Sequence, residues 1–153
     1  MRPISDLSPE TRGALEGHDA ILFDGECVLC SGFFRFVLRK DRQARFRFVT
    51  AQSQLGQAMY RNLDLPTDAY QTNLVIVDGR IHEELDAFAA AMSALGWPWR
   101  VLAACNILPG PLKSAIYRPI ARNRYRIFGR YDTCLVPTPD LRARFLDLPA
   151  RAA

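Results

Sequence analysis

Apolar and polar positions alternate along this chain with two different periods, and those periods predict its elements. Residues 20–24, Ala-Ile-Leu-Phe-Asp, form an apolar run that stops at Asp24-Gly25, as a buried strand followed by a turn does. From Cys27 to Lys40 the apolar residues Cys30, Phe33, Phe34, Val37 and Leu38 recur at helical spacing, with Arg35, Arg39 and Lys40 on the other side. Residues 45–50, Arg-Phe-Arg-Phe-Val-Thr, alternate like a strand with one buried face, and residues 53–63 read as a helix that turns Leu55, Met59 and Leu63 inward. Residues 72–77 run into Asp78-Gly79, a strong hairpin signal, so residues 80–83 return as an antiparallel strand. A helix follows over residues 85–96, rich in helix formers and closed by Gly96.

The resulting order, βαβαββα, is thioredoxin-like: an α/β fold in which helices cover both faces of a mixed four-stranded sheet. Beyond it, residues 97–132 carry helical patterning interrupted by Pro109, Gly110, Pro111 and Pro119, which predicts two or three helices packed beside the core. Residues 133–153 read as an irregular tail with room for one helical turn over 140–147. A length of 153 residues suits a single domain, 1–153, with its core at 19–96 and its helical extension at 97–132. The Trp97-Pro98-Trp99 corner, the apolar residues after it and Cys105 are expected to be packed core.

The composition, 49% hydrophobic and 24% charged, is that of an ordinary globular protein. The polar start lacks the apolar centre of a secretory signal, and no run reaches the roughly 18 apolar residues a membrane span needs. That predicts a cytoplasmic protein, and in the cytoplasm a close cysteine pair points to catalysis or metal binding rather than a permanent crosslink.

The pair is Cys27 and Cys30, in Asp-Gly-Glu-Cys-Val-Leu-Cys, placed where the first strand passes to the first helix. Disulfide exchange needs an attacking thiolate, a nearby resolving thiol and access for a partner. A helix start lowers the first thiol's pKa through its unpaired N–H groups, so Cys27 is the expected nucleophile, open to solvent, and Cys30 the deeper resolving thiol. Asp24 and Glu26 oppose the thiolate, and Val28-Leu29 adds no cation, so Cys27 is expected to be only moderately acidic and the pair more reductant than oxidant. Asp24 is a candidate general base for the Cys30 proton. Gly25, Glu26, Val28 and Leu29 around the pair are the expected substrate contacts, with Thr72 and Asn73 across from them.

These residues resemble the DCC-family thiol-disulfide oxidoreductases, thioredoxin-fold proteins named for an Asp-Cys-Cys signature. The likeness rests on Asp24-Gly25, Cys27, Cys30 and the block Ile-Ala-Arg-Asn-Arg-Tyr-Arg-Ile-Phe-Gly-Arg (120–130), and spans about residues 19–134. It implies that Cys27 and Cys30 are the active pair, that Asp24-Gly25 presents them, and that the activity is disulfide exchange with a protein or a low-molecular-weight thiol. In thioredoxin folds a cis-proline usually precedes the third strand; here Thr72 and Asn73 stand there and the nearest proline is Pro66. No cofactor is expected.

The competing reading is a binding module. Net charge is +4, and Lys113, Arg118, Arg122, Arg124, Arg126 and Arg130 lie in a stretch without one acid. Arg118, Arg122, Arg126 and Arg130 could form a helical stripe for nucleic acid or an acidic partner, with the cysteines structural or metal-binding alongside Cys105, Cys134, His18 or His82. The plainer expectation, with nucleic acid disfavoured, is a solvated helix face whose charges pair with acids elsewhere, Asp24 and Glu26 included.

Overall fold

The structure, a computed structural model, describes residues 1–15, 17–68, 70–130 and 138–147. The central strand β2 (Asp19–Phe23) follows a short β1 (Arg2–Pro3) and helix α1 (Pro9–Leu15). Then come α2 (Val28–Lys40), β3 (Phe46–Thr50), α3 (Gln54–Asn62), β4 (Leu74–Val77), β5 (Arg80–Glu83) and α4 (Glu84–Leu95). The sheet order is β1-β5-β4-β2-β3 and then β6 (Phe145–Asp147), with β2 parallel to β3 and antiparallel to β4. The inner four strands, β5-β4-β2-β3, are the expected mixed sheet of a thioredoxin-like fold; β1 and β6 extend it to six.

β2 reads as an unbroken apolar run because both of its faces are buried. Ala20 and Leu22 face a core with Leu15, Met59 and Tyr60, whereas Ile21 and Phe23 face one with Phe34, Val37 and Met92. On the second side Phe34 stacks on Phe23 at 4.8 Å and meets Phe48 edge-on at 4.7 Å, and Phe145 of β6 closes the cluster 5.5 Å from Phe34. The hairpin after β4 has positive φ at both turn residues, 49° at Asp78 and 73° at Gly79, the type I′ geometry that its sequence favours.

Three expectations need correction. First, residues 97–130 hold two helical elements, within the expected number, a 3-10 segment (Trp99–Ile107) and α5 (Gly110–Phe128), but Pro119 does not interrupt the second, which runs through it. Pro119 is exposed, so a missing N–H on that side opens no gap in the core. Second, the apolar stretch after Trp97 is not core. Trp99 and Ala103 pack inward, while Trp97, Val101 and Ile107 are 80%, 57% and 86% exposed, and Cys105 is partly exposed. A 3-10 segment lying along one helix presents a single edge to it. Third, the expected tail holds, beyond a helical turn at α6 (Pro139–Arg142) close to where one was expected, the unforeseen strand β6, anchored by Phe145. Residues 131–137, with Cys134, and 148–153 lie outside the described residues.

Helix α3 starts under the end of β3. Ser53 caps it by accepting the Gly56 N–H at 3.1 Å, and a Cβ on Gly56 would stand 2.2 Å from the Thr50 carbonyl oxygen and 2.9 Å from the Ala51 Cα. Both are backbone atoms, so the helix start must move to admit any side chain. Gly56→Ala is expected to lower unfolding stability by about 1–3 kcal/mol despite the better helix propensity of alanine, read from urea midpoints.

Candidate active site

Strand β2 ends at Phe23, and the following turn is built around one carboxylate. Asp24 is 3% exposed, and both of its oxygens are taken. Oδ1 accepts the Glu26 N–H at 3.0 Å and the Gln52 amide at 2.6 Å; Oδ2 accepts the Arg124 guanidinium at 3.1 Å and the Tyr125 hydroxyl. Gln52 also accepts the Gly25 N–H at 3.1 Å, and the Cys27 N–H donates to the Asp24 carbonyl at 3.2 Å. The turn therefore delivers Cys27 to the start of α2 in a fixed orientation.

Cys27 is the N-cap of α2. Its sulfur accepts the Cys30 N–H at 3.3 Å, one of the amide protons that a helix start leaves without an internal partner. Both thiols are free. The Cys27 pKa falls from 9.0 to about 7: a hydrogen bond from the Cys30 thiol lowers it most, burial raises it, and the Cys30 N–H and the Arg124 charge lower it against a smaller rise from Asp24. The Cys30 thiol is pushed up, chiefly because it donates to Cys27 and also because the residue, though partly exposed, is partly desolvated. The contact between the two thiols therefore favours the thiolate at Cys27 and the protonated form at Cys30.

Sequence reasoning missed the cation that helps. No basic residue lies within Val28-Leu29; Arg124 arrives from α5, one hundred positions along the chain from Asp24, with its side chain 5% exposed and its guanidinium 4.4 Å from the Tyr125 ring centre. The available signal was the acid-free basic stretch and its expected pairing with Asp24 and Glu26. That pairing is present, for Arg130 also bonds Glu26 with its Nε at 2.8 Å. With Lys113 on Asp86 and Arg118 3.6 Å from Glu84, four of the six basic residues in the stretch pair with acids among the described residues, while Arg118, Arg122, Arg126 and Arg130 all remain exposed.

The expected exposures of the two cysteines are reversed. Cys27 has no accessible surface, and Cys30 is partly exposed. The segment after α5 lies over Cys27: Arg130 forms an antiparallel bridge with it, and the Gly129 carbonyl accepts the Val28 N–H at 3.5 Å. We refer to Gly129-Arg130 as the strap.

The remaining candidates divide. Cys30, Leu29, Asp24 and Asn73 line a cavity of about 50 Å³ together with Tyr70, Tyr117 and Arg124 of other elements. Asn73 is held there by the Tyr117 hydroxyl, which donates to its Oδ1 at 2.5 Å, whereas Thr72 is outside the lining and its carbonyl accepts from Tyr60. Gly25 is buried, Val28 is partly covered by the strap, and Glu26 is tied to Arg130. Among the described residues no group of three or more histidines, cysteines or acids could hold a metal ion. No described helix is long and apolar enough to cross a membrane.

Residues 21–130 match the profile of the DCC1-like thiol-disulfide oxidoreductases, and the chain belongs to that family. It is 34% identical over 126 residues to the uncharacterized protein YuxK of Bacillus subtilis, covering 82% of this chain and 92% of the relative. It is also 30% identical over 115 residues to a DCC family protein of Arabidopsis thaliana described as chloroplastic, covering 74% of this chain and 67% of that one. No solved structure matches. The family carries a thiol-disulfide redox role in general, and the matched span ends at Arg130, so it takes in both the cysteine pair and the strap.

If Arg124 and Asp24 act on the Cys27 thiolate in opposite senses, their neutral variants must shift its titration in opposite directions. Relative to the Cys30→Ser parent, Arg124→Gln is expected to raise the midpoint of Cys27 alkylation and Asp24→Asn to lower it. Iodoacetamide rates measured against pH, with Cys30 replaced by serine in each background, read both shifts; a common direction would reject the assignment.

Proposed function

We propose that the protein is a thiol-disulfide exchange enzyme with Cys27 as nucleophile and Cys30 as resolving thiol. The observation that carries this reading is the geometry at the start of α2, where the Cys27 sulfur caps the helix by accepting the Cys30 N–H at 3.3 Å; the hydrogen bond between the two thiols lowers the Cys27 pKa and raises that of Cys30. A thiolate with a pKa near ambient pH is the most effective attacker, since a still lower pKa costs nucleophilicity.

In the reducing direction the Cys27 thiolate attacks one sulfur of a partner disulfide. The partner's S–S bond breaks, its second sulfur leaves as a thiolate, and a mixed disulfide forms on Cys27. Cys30 then gives up its proton to the departing thiolate and attacks the Cys27 sulfur, which releases the second partner thiol and leaves a Cys27–Cys30 disulfide. Two electrons pass to the partner, and one dithiol, or two low-molecular-weight thiols that leave as their own disulfide, restores the pair. Asp24, with four donors on its two oxygens, suits an anchor for this arrangement better than the proton carrier its position in the sequence suggested.

A buried Cys27 cannot meet a partner sulfur, so the strap must lift before attack. Its side-chain tie, Arg130 to Glu26, is exposed and weak, which suits a contact that opens. Glu26→Gln and Arg130→Ala are each expected to raise the rate of Cys27 alkylation a few-fold at fixed pH. The titration midpoint changes little when only access is altered.

The deciding experiment is a redox titration of the purified protein with mass-resolved alkylation and metal analysis. A reversible two-electron couple confined to Cys27 and Cys30, and lost in Cys27→Ser, is the expected result. Stoichiometric zinc or iron that protects both thiols would overturn the proposal.

A further inference from the structure

Helix α5 is amphipathic in the wrong sense for a helix that packs on a core. The side chains it turns toward the body make polar contacts: Lys113 with Asp86, Ser114 with Glu84 at 2.9 Å, Tyr117 with Asn73, and Arg124 and Tyr125 with Asp24. Apart from the buried Ala121, its aliphatic residues lie toward solvent, with Ile120 also reaching the edge of the Cys30 cavity. Leu112, Ile116, Ile120 and Ile127 are 46%, 43%, 42% and 62% exposed. At 3.6 residues per turn these four positions fall within a sector of about 80°.

A surface helix normally places such a stripe on the core, and four large aliphatics in line on the solvent side mark a surface made to be covered. Two further observations say by what. The stripe is continuous with the redox site, because Ile120 lines the Cys30 cavity beside Leu29, itself 37% exposed. Its flank carries the exposed guanidinium groups of Arg118, Arg122 and Arg126, and no acid lies between Lys113 and Arg130.

We propose that this face of α5 docks the protein substrate, and that it selects a disulfide-bearing segment with an aliphatic face and acidic neighbours. The inference rests on the thiol-disulfide reading and narrows it from disulfides in general to one class of polypeptide. Docking brings the partner's disulfide to the Leu29–Ile120 edge of the cavity, next to the pair. The same helix ends at Gly129, so a partner seated along the stripe as far as Ile127 lies beside the strap it must displace.

The test uses the full chain and a synthetic helical peptide that carries leucines on one face, glutamates beside them and a cysteine in mixed disulfide with a chromogenic thiol. Two companion peptides replace the leucines by serine or the glutamates by lysine. For the native chain kcat/KM is expected to be highest on the leucine-glutamate peptide, and the Ile116→Ser/Ile127→Ser variant to lose about tenfold on it through KM. Exchange with 2-hydroxyethyl disulfide stays unchanged in that variant. Fluorescence anisotropy with cysteine-free versions of the peptides measures docking without chemistry, so a failure of exchange and a failure of docking are told apart. Equal kcat/KM and binding for all three peptides, or an equal loss on peptide and small disulfide, would overturn the proposal. So would stripe-dependent binding to anionic phospholipid vesicles without discrimination among the peptides.

Discussion

The structure around the thiols depends on a single buried carboxylate. Asp24 draws together the turn after β2, through the Glu26 N–H; the start of the α3 region, through Gln52; and α5, through Arg124 and Tyr125. With side-chain exposures of 1% and 5%, the Asp24–Arg124 pair adds little net stability over what an apolar pair of the same shape would provide. Its effect is on geometry, because removing either partner strands a buried charge at a cost of about 3–5 kcal/mol. The position of α5, and with it the cavity wall and the strap, is set by that constraint.

The same carboxylate shows why charge counting near the cysteines misleads. Asp24 alone raises the Cys27 pKa, and so does burial, yet the thiolate wins because the Cys30 thiol and N–H both point at it and Arg124 offsets the Asp24 charge. The hydrogen bonds are the larger effect, and they come from Cys30, the other member of the pair. Stabilising one sulfur and protonating the other are therefore one interaction seen from its two ends.

The order of elements from β2 to α4 is legible in the sequence because each is long enough to show its period and is bounded by turn chemistry, as at Asp24-Gly25, Asp78-Gly79 and Gly96. β1 and β6 are not, since strands of two and three residues carry no alternation; Phe145 is recognisable as core only once Phe23, Phe34 and Phe48 stand beside it. The cysteine pair and its helix start are equally legible, being local. Arg124 is not, because the expected stripe of every fourth residue passes through Arg122 and Arg126, and the residue that turns inward lies between them. Access to Cys27 fails for the same reason, since the strap that covers it comes from more than a hundred positions away.

The polarity of α5 joins these points. A helix whose inward face must carry Arg124, Tyr125 and Tyr117 to a carboxylate and a cavity cannot also present aliphatic side chains there, so packing offers no reason for leucine and isoleucine anywhere else on it. Solvated positions are ordinarily polar or charged, as Arg118, Arg122 and Arg126 are on the adjoining flank. Among the described residues, the exposed aliphatics at Leu112, Ile116 and Ile127 have no packing partner that explains them and become intelligible as half of an interface. The helix that supplies the buried cation to the redox turn is also the one that leads, through Gly129, into the strap over Cys27, so a contact made on its outer face is mechanically connected to access at the inner one.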